Sequence, residues 1–594
     1  MSSTLLSLLS RSNARICFAR RTPLSARLLS TLPNTHIFRA LQNHDPDSLA
    51  VVHSVSSRSF TYGSLIADIV RAKDDLEQKA AKAQGQLAGE RVAFLAENSY
   101  DYVVTLLAIF ASDAIALPLS PSFPTRELKY ILDNSQAKML LTTEKYAEKG
   151  MEVLRSGLEH EPLFAIRNKL IEGASSDKNL TLHDLKGPSP GGMMLYTSGT
   201  TNRPKGVLIP QSALAAQASS LLEAWKYTPD DRLLHLLPLH HIHGVVNAIL
   251  APIVAGSSIE FMYPFNPEKV WKRLAAPFLP SSTSNSPITF LTAVPTIYNR
   301  LMTTFPTLTP EVQQAAKEGI SPQNLRLNIS GSAALPTPTK TAWKTLSNGN
   351  VLLERFGMTE IGMAISCGLD VADRVDGSVG WPLPGVEARL ADLETGAIIP
   401  VEEKNPNGRE REGEIQIRGE TIFDHYWGNE KATRESFVPS DDGGKAWFCT
   451  GDVATRRVVD GAGSGASGDW ARGPMYFIQG RKSVDIIKTG AEKVSALEVE
   501  RELLSLPQVI EAAVVGLPSE QWGQKIVAVV VLAPDAAASG RSGQSWGPMD
   551  MRRALKGSLA SFKIPHEMKV LEAIPRNAMG KVNKKALIKE VFGV

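Results

Sequence analysis

In the first quarter of the chain, short apolar runs alternate with amphipathic stretches, and this alternation restricts the fold more than any other feature. The apolar runs are "RVAFLAE" (91–97), "AIALPLS" (114–120) and "AKMLLTT" (137–143), whereas 101–111 and 125–135 have the spacing of helices. Such alternation indicates βαβ units, in which helices join parallel strands. We therefore predict an α/β protein built on parallel sheets. A chain of 594 residues has room for one large domain and a smaller one.

The composition of the chain changes near its last fifth. A helical stretch (495–506) and two apolar runs (510–516 and 525–533) follow one another closely, and a helix from about Met549 is predicted to be the last. We therefore place a domain boundary at about 480–484. Three stretches rich in Gly, Ser and Pro are predicted to be surface loops or insertions, at 280–287, 460–469 and 535–547.

The N-terminal segment has the composition of a targeting sequence. Its first 44 residues contain no Asp or Glu but six arginines, set among Ser, Leu and Ala. We predict that residues 1–30 are a transit peptide for the mitochondrial matrix, with a disordered basic tail as the alternative. Its removal takes away five arginines and lowers the formal charge from +3 to −2. A near-neutral body gives no electrostatic reason to expect nucleic acid as a partner.

The apolar and cysteine patterns exclude two further classes. The run "VVTLLAIFA" (103–111) ends at Ser112 and Asp113, after about half of the ~20 residues that a membrane span requires. We therefore expect no transmembrane segment. Beyond the leader only Cys367 and Cys449 remain, without CxxC or Cys/His spacing, so neither a disulfide framework nor a structural zinc site is expected.

The segment "YTSGTTNRPKG" (196–206) carries the strongest chemical signal. It follows the strand-like "GMMLY", and its consecutive Thr, Ser and Gly residues offer backbone N–H groups and hydroxyls to one small volume. Such donors suit phosphate oxygens, and Lys205 adds a positive charge. A Walker-type P-loop has Gly directly before its Lys, whereas Pro204 stands here. The sequence therefore predicts a phosphate-binding loop of another kind.

This segment resembles the signature of the adenylate-forming superfamily, which comprises acyl-CoA synthetases, luciferases and peptide-synthetase adenylation domains. The resemblance extends over residues 35–590 and implies a large N-terminal adenylate-forming domain (35–481) with parallel sheets and a β-barrel-like subdomain. It also implies a small, mobile α+β domain (482–594), with ATP, Mg²⁺ and CoA as the small-molecule partners. Six further motifs occur in order: "LPLHHIHG" (237–244), "SGSAALP" (330–336), "ERFGMTE" (354–360), "WFCTGD" (447–452), "GR" (480–481) and "PRNAMGK" (575–581).

The resemblance also implies roles for individual residues. Lys581 matches the catalytic lysine that bridges the attacking carboxylate and the α-phosphate. Glu360 matches the Mg²⁺ ligand, Asp452 the acceptor of the ribose hydroxyls, and Arg481 the arginine that contacts the ribose from the domain junction. The residues expected to be catalytic are Lys581, Lys205, Thr200 and Glu360. The residues expected to bind ATP are Thr197, Ser198, Gly199, Thr200, Thr201, Asn202, Arg203, Pro204, Lys205, Gly331, Ser332, Phe356, Gly357, Thr359, Asp452, Arg481 and Lys581.

The start of the small domain resembles the segment that the superfamily presents to a thiol acceptor. "IIKTGAEKVSALEVE" (486–500) contains the expected glycine loop, and Gly490 and Lys493 are predicted to contact CoA. Two half-reactions with different partners require two arrangements of one cleft. Relatives usually have Lys-Asp or Lys-Glu after the "GR" motif, whereas Ser483-Val484 stands here with Asp485 next. The hinge residue is therefore left open.

The acid that the enzyme activates is not determined by superfamily membership. A dicarboxylate requires a cation in the pocket, because a buried carboxylate without a partner is unstable. The segments around the pocket look like those of malonyl-CoA synthetases, especially their mitochondrial eukaryotic branch. In that group an arginine at the position of Arg326 is expected to clamp the free carboxylate; pairing with a surface carboxylate is the alternative. Residues expected to contact the acid are Arg326, Arg300, His241 and His243, although His241 also fits a core histidine.

Other functions remain open at this point. Another acyl-CoA synthetase of this fold could act on methylmalonate, a medium-chain acid or an aromatic acid. A peptide-synthetase module is disfavoured because we expect no carrier domain after Val594. A non-catalytic acyl-adenylate or CoA sensor is disfavoured because Lys581, Glu360 and the hydroxyl loop are all present. The residues do not determine the oligomeric state.

Overall fold

A computed structural model describes residues 31–83, 85–175, 180–197, 203–280, 286–401, 403–405, 408–490, 492–541, 544–576 and 582–593. These ranges contain fifteen α-helices: His36–Asn43, Tyr62–Lys82, Tyr100–Ala111, Thr125–Ser135, Ala147–Arg155, Gln211–Trp225, Ala251–Ala255, Pro267–Ala275, Pro295–Thr304, Pro310–Gly319, Thr337–Leu346, Glu430–Glu435, Ala496–Leu504, Pro548–Leu555 and Lys584–Phe592. One π-helix, His243–Leu250, precedes Ala251–Ala255. No helix in this part of the chain is both long and apolar enough to cross a bilayer.

The first large sheet contains the strands predicted from the alternating pattern. Its parallel part is built from five strands, and two antiparallel strands extend it beyond Gly192–Thr197. The helix Tyr100–Ala111 is apolar on every side, and all twelve of its residues are buried against this layer. In spatial order the strands are His425–Tyr426, Lys205–Pro210, Gly192–Thr197, Ile115–Pro118, Arg91–Leu95, Met139–Thr143 and Leu163–Arg167.

The second large sheet has nine strands, and its six central strands are parallel. Ligands of open parallel sheets bind at the carboxyl ends of the strands, which places "SGSAALP" and "ERFGMTE" at that edge. In spatial order the strands are Trp381–Pro382, Gly362–Ser366, Leu353–Met358, Leu327–Ser330, Phe290–Ala293, Arg232–His235, Ser258–Phe261, Leu49–His53 and Ser59–Thr61. A separate two-stranded parallel sheet joins Thr31–Pro33 to Thr181–His183.

The third sheet of the large domain is antiparallel. Its strands are Val386–Ala391, Gly413–Gly419, Trp447–Arg457, Phe437–Val438 and Met475–Arg481. The last of these strands pairs with Trp447–Arg457 and sets Asp452 opposite Arg481. The strands Thr31–Pro33 and Thr181–His183 do not belong to this sheet.

A fourth sheet with its own apolar core follows Arg481. Its strands are Glu492–Ser495, Ile486–Thr489, Gly523–Leu532, Val509–Ser519 and Glu567–Val570. The helix Ala496–Leu504 begins where the Ser495 hydroxyl accepts the Glu498 N–H, and it buries Val499 and Leu503 against the sheet. The α/β fold with a small C-terminal domain is thus confirmed.

One sequence prediction about this region was wrong in detail. The last helix is Lys584–Phe592 rather than the one near Met549, which is Pro548–Leu555; Asn583 caps the last helix and Leu587 anchors it to the core. The glycine-rich stretch 460–469 is tied to the body, since Ser467 is 1% exposed and its hydroxyl donates to Asp373. Its small residues permit close packing, which composition does not distinguish from a free loop.

Candidate active site

The two ends of the phosphate-loop segment lie on neighbouring antiparallel strands. Thr197 pairs with Lys205 in the register of the first sheet. The Lys205 ammonium lies 4.5 Å from the centre of the Tyr426 ring. The carbonyl oxygen of Pro204 accepts the Tyr130 hydroxyl at 2.9 Å, and the guanidinium of Arg203 lies 5.6 Å from the centre of the Tyr130 ring. The predicted residues Ser198, Gly199, Thr200, Thr201 and Asn202 lie outside the described residues.

Glu360 is buried beside Tyr426. Its Oε1 atom accepts the Tyr426 hydroxyl at 2.9 Å, and only 5% of the residue is exposed. Burial raises the pKa of Glu360, and the hydrogen bond from Tyr426 and the charges of Arg481 and Lys205 oppose that rise. A carboxylate is thus held among positive groups. Tyr426 had no signal in the sequence, because a tyrosine in "HYW" carries no mark of its contact with a distant glutamate.

Asp452 and Arg481 form an ion pair across neighbouring strands. The Arg481 Nε atom lies 3.0 Å from Asp452 Oδ1. Burial raises the pKa of Asp452 to about 6; Arg481 opposes this shift, and the charges of Asp485 and Glu360 add to it. The structure therefore brings Asp452, Arg481, Glu360 and Lys205 into one electrostatic group, as the motifs implied.

A second polar group lies at the carboxyl ends of the second sheet. His243 Nε2 is 2.5 Å from the Thr292 hydroxyl, and His243 Nδ1 is 3.3 Å from the Ser332 hydroxyl. Arg355 reaches the same hydroxyl, with Nη2 3.4 Å from Ser332 Oγ. A Cβ atom on Gly331 would lie 2.5 Å from the guanidinium carbon of Arg355, so glycine is required for this approach. Two predicted residues, His243 and Ser332, thus meet an arginine that was not predicted.

Among the residues that the structure describes, Arg355 is a buried cation without a counter-charge. The residue is 5% exposed, and its Nε atom has no hydrogen-bond partner within the described ranges. Burial alone lowers its pKa to about 9. Its neighbour Glu354 does not neutralise it, because successive residues of a strand face opposite sides and Glu354 pairs with Lys340 at 2.7 Å. Arg355 was not predicted from the sequence, because adjacent residues of opposite charge do not show which partners their side chains take.

Arg326 does not lie with these residues, and its predicted role as the carboxylate clamp is wrong in this structure. It precedes the strand Leu327–Ser330, whereas the site lies at the opposite end, after Ser330. Its guanidinium holds Asp231 at two points, with Nε–Oδ1 2.8 Å and Nη2–Oδ2 2.5 Å. It also donates to the carbonyl oxygens of Trp225 and Lys226. These four hydrogen bonds hold the guanidinium at the amino-terminal edge of the sheet, away from the site.

The other residues predicted to contact the acid have different surroundings in the structure. Arg300 is exposed on its helix, with its guanidinium 4.8 Å from the Phe265 ring, and its contact with the acid stays a prediction. The ring of His241 lies 4.1 Å from that of His240. The predicted adenine-side residues Phe356, Gly357 and Thr359 are half-buried in the segment that leads to Glu360.

The predicted CoA residues are on a hairpin of the small domain. Gly490 has a φ of +60° at its tip, and its N–H donates to the Trp522 carbonyl oxygen at 2.7 Å. The Trp522 side chain beside it is 43% exposed. Lys493 pairs at 2.8 Å with Glu394, which lies in the turn after the strand Val386–Ala391. The predicted catalytic lysine, Lys581, lies outside the described residues.

The fold has two large sheets and a small second domain, and charged side chains suited to a nucleotide lie together at one edge. These features are those of a two-domain, AMP-forming acid–thiol ligase. The chain belongs to the AMP-binding enzyme family, whose model matches residues 37–427, and the AMP-binding enzyme C-terminal domain matches residues 498–581. Its reaction is the joining of an acid to CoA through an adenylate.

Similar proteins cover nearly the whole chain. A CoA ligase of Gibberella moniliformis is 53% identical over 587 residues, which is 95% of each chain. The human mitochondrial malonate–CoA ligase ACSF3 is 38% identical over 548 residues, which is 89% of this chain and 88% of that protein.

Solved structures with the same fold include two functional states. ATP-bound MatB from Rhodopseudomonas palustris has a TM-score of 0.74 and 29% identity, covering 94% of this chain and 98% of that one. A malonyl-CoA ligase in a ternary product complex with methylmalonyl-CoA and AMP has a TM-score of 0.57 and 31% identity, covering 91% and 100%.

Proposed function

We propose that the protein is a malonate–CoA ligase and that Arg355 binds the carboxylate of malonate that does not react. The single observation that carries this proposal is the buried guanidinium of Arg355, which lacks a carboxylate partner in the described part of the chain. A buried charge is normally paired, and leaving it unpaired is unfavourable by several kcal/mol. A substrate that brings its own second carboxylate supplies the missing partner. The malonate–CoA ligase from human among the relatives supports this assignment.

The surroundings of Arg355 suit a short diacid. The Ser332 hydroxyl accepts a hydrogen bond from the guanidinium, and His243 Nδ1 lies within hydrogen-bond distance of the same hydroxyl. Ser332 is also a predicted ATP-site residue. The carboxylate on Arg355 would therefore lie a short distance from the nucleotide, with the second carboxylate directed to the α-phosphate. A long apolar acid would place methylene groups against the buried guanidinium of Arg355 and would supply no counter-charge for it.

In the first half-reaction, a carboxylate oxygen of malonate attacks the α-phosphorus of ATP. The bond from the α-phosphorus to the bridging oxygen breaks, and pyrophosphate leaves with that electron pair. Lys205 and the hydroxyl loop would hold the β- and γ-phosphates, and Asp452 would accept the ribose hydroxyls beside Arg481. Lys581 would stabilise the charge between the two reacting anions.

Mg²⁺ fits the donor set at Glu360. A carboxylate oxygen is a ligand that Mg²⁺ prefers, and the second oxygen of Glu360 is left after Tyr426 occupies the first. When bound, the ion would neutralise charge on the departing pyrophosphate. Tyr426 would orient the carboxylate, while Lys205 and Arg481 would limit its protonation.

In the second half-reaction, the thiol of CoA attacks the acyl carbon, and the bond to the phosphate oxygen of AMP breaks. The thiol proton leaves with the departing AMP or to solvent. The hairpin tip at Gly490 and the exposed ring of Trp522 would provide the surface for CoA once the small domain has turned. The turning point lies within residues 482–485.

We also propose that the enzyme acts in the mitochondrial matrix. The acid-free, arginine-rich first 30 residues support import, as does the human relative, which is named as mitochondrial. Fusion of residues 1–44 to a fluorescent protein should direct it to mitochondria, and Arg→Gln changes at all six arginines should abolish this.

The direct test of the proposed reaction is CoA-dependent AMP formation by the mature chain with malonate, methylmalonate, acetate, octanoate and a cinnamate. Malonate should give the highest kcat/KM, and malonyl-CoA should appear in equal amount to AMP. If octanoate or cinnamate is preferred, the malonate assignment fails and the enzyme is an acyl-CoA synthetase for another acid.

A further inference from the structure

The turn between the two domains is held by three buried charged side chains, which we call the hinge cluster: Asp485, Glu500 and Lys584. The Lys584 ammonium lies 2.5 Å from Asp485 Oδ1 and 2.7 Å from Glu500 Oε1. The three side chains are only 10–14% exposed. Burial would lower the pKa of Lys584, but the two carboxylates outweigh it and raise the pKa. The ammonium is therefore a charged clamp between two acidic groups.

The hinge cluster fixes Asp485 to the small domain. Glu500 lies on the helix Ala496–Leu504 and accepts the Val514 N–H at 2.8 Å. The carbonyl oxygen of Asp485 accepts the N–H of Ala496 at 2.7 Å. Lys584 is the first residue of the last helix and follows the predicted catalytic Lys581 by three positions in the sequence. Asp485 must therefore move with the small domain when that domain turns.

The same aspartate also holds the large domain. Its Oδ2 atom accepts the backbone N–H of Arg481 at 2.9 Å, and its own N–H donates to the Arg481 carbonyl oxygen at 2.8 Å. Arg481 ends a strand of the third sheet and pairs with Asp452. Any side chain at Gly480, which has a φ of +131°, would collide with Asp485. The chain is thus shaped to bring this carboxylate against Arg481.

These contacts depend on the domain arrangement. Only residues 482–484 separate Arg481 from Asp485, and a large rotation about their backbone bonds must break both hydrogen bonds between the two residues. The present arrangement has the higher TM-score with the ATP-bound relative (0.74) than with the CoA-product complex (0.57). We assign this arrangement, in which both bonds are present, to the first half-reaction.

We propose that Asp485 and Lys584 are positioning residues for adenylate formation: Lys584 holds the Asp485 carboxylate on the small domain, and that carboxylate latches onto the Arg481 N–H. The latch holds the small domain in place while the adenylate forms and opens when the domain turns toward CoA. This inference rests on the proposed two-step reaction but not on the identity of the acid. Relatives usually have Lys-Asp or Lys-Glu at the hinge, where this chain has Ser483-Val484. We assign the hinge role to the next residue, Asp485.

The test separates the two half-reactions in the full mature chain. The enzyme is loaded with its acid and Mg·ATP without CoA, and pyrophosphate release gives the loading rate; CoA is then added, and the rate of thioester formation is measured after loading is complete. Asp485→Asn and Lys584→Met should load at least tenfold more slowly, with the CoA step changed by less than threefold. Lys584→Arg should restore loading to within threefold of wild type.

Lys589→Met is the matched control, because Lys589 is exposed on the same helix. It should leave both rates unchanged. Equal slowing of both steps by Asp485→Asn would indicate general damage and overturn the latch, as would unchanged loading in either variant. If Lys584→Met does not fold, Asp485→Asn decides, because it keeps the size of the side chain. The wild-type enzyme is tested with whichever acid it accepts, so failure of the malonate assignment would leave this result interpretable.

Discussion

Arg326 and Asp231 form a two-point ion pair at the amino-terminal edge of the second sheet, on the side opposite to the candidate active site. Asp231 is 4% exposed at its side chain, so the pair neutralises a buried carboxylate. Arg326 therefore has a structural role. The sequence resemblance that suggested substrate binding pointed to a residue before the strand Leu327–Ser330, whereas the site lies after that strand.

Replacing Arg326 with Leu should weaken the fold without changing acid preference. Loss of the partner leaves Asp231 buried and unpaired, which should lower the free energy of unfolding by about 2 kcal/mol, since Arg326 is itself partly exposed. Urea unfolding measures this change. A large rise in the KM for malonate with unchanged stability would return the clamp to Arg326.

Replacing Tyr426 with Phe should impair catalysis through Glu360. The change removes a hydrogen bond to a buried carboxylate, an interaction of about 1.5–3 kcal/mol, and should lower kcat roughly tenfold or more and raise the Mg²⁺ concentration needed for half-maximal rate. Tyr476→Phe is a matched control, because its hydroxyl donates to the Ala388 carbonyl oxygen in the third sheet. Equal effects of both substitutions would show that Tyr426 has no special connection to Glu360.

The binding of ATP should weaken at acidic pH through Asp452. Because its pKa is raised to about 6, Asp452 gains a proton as the pH falls through 6 and loses its strength as an acceptor of ribose hydroxyls. The KM for ATP should therefore rise below pH 6. ATP also titrates near this range, so Asp452→Asn supplies the baseline, and its profile should lack this component. The folding stability should depend on pH in the opposite direction to ATP binding. The raised pKa of Asp452 favours the folded state below about pH 4, and this contribution is lost as the pH rises through 6.

A side chain on Gly331 should act through Arg355. Gly331→Ala places a methyl group 2.5 Å from the guanidinium carbon, and the displaced arginine should raise the KM for malonate roughly tenfold. In an Arg355→Leu background the same change should have little further effect, which a double-mutant cycle measures. Full additivity of the two effects would show that the methyl group acts elsewhere.

Much of the large-domain architecture could be predicted because its strands are short and uniformly apolar. The run 91–97 became Arg91–Leu95, and the helical stretch 125–135 became Thr125–Ser135. Buried parallel strands leave this signal because both of their faces are covered. The last helix was missed, since Lys584–Phe592 is short and only Leu587 among its residues is buried.

The proposed acid-binding residue, Arg355, could not be predicted, for a different reason. Glu354 and Arg355 are adjacent, and only the structure shows that Lys340 takes the glutamate on one face of the strand, while the arginine on the other face has no carboxylate partner among the described residues. Arg326 and Ser332 are close in sequence, yet one precedes the strand Leu327–Ser330 and the other follows it. Sequence distance does not tell which end of a strand faces a ligand.

The most direct test of the account compares malonate with acetate in wild type, Arg355→Leu and Arg355→Lys. The account predicts that Arg355→Leu lowers kcat/KM for malonate by about 3 kcal/mol, or roughly 100-fold, because the free carboxylate loses its charged partner. Acetate, which has no second carboxylate, should react no more slowly, and Arg355→Lys should recover part of the malonate activity. Undiminished malonate activity in Arg355→Leu, or equal losses for both acids, would contradict the account.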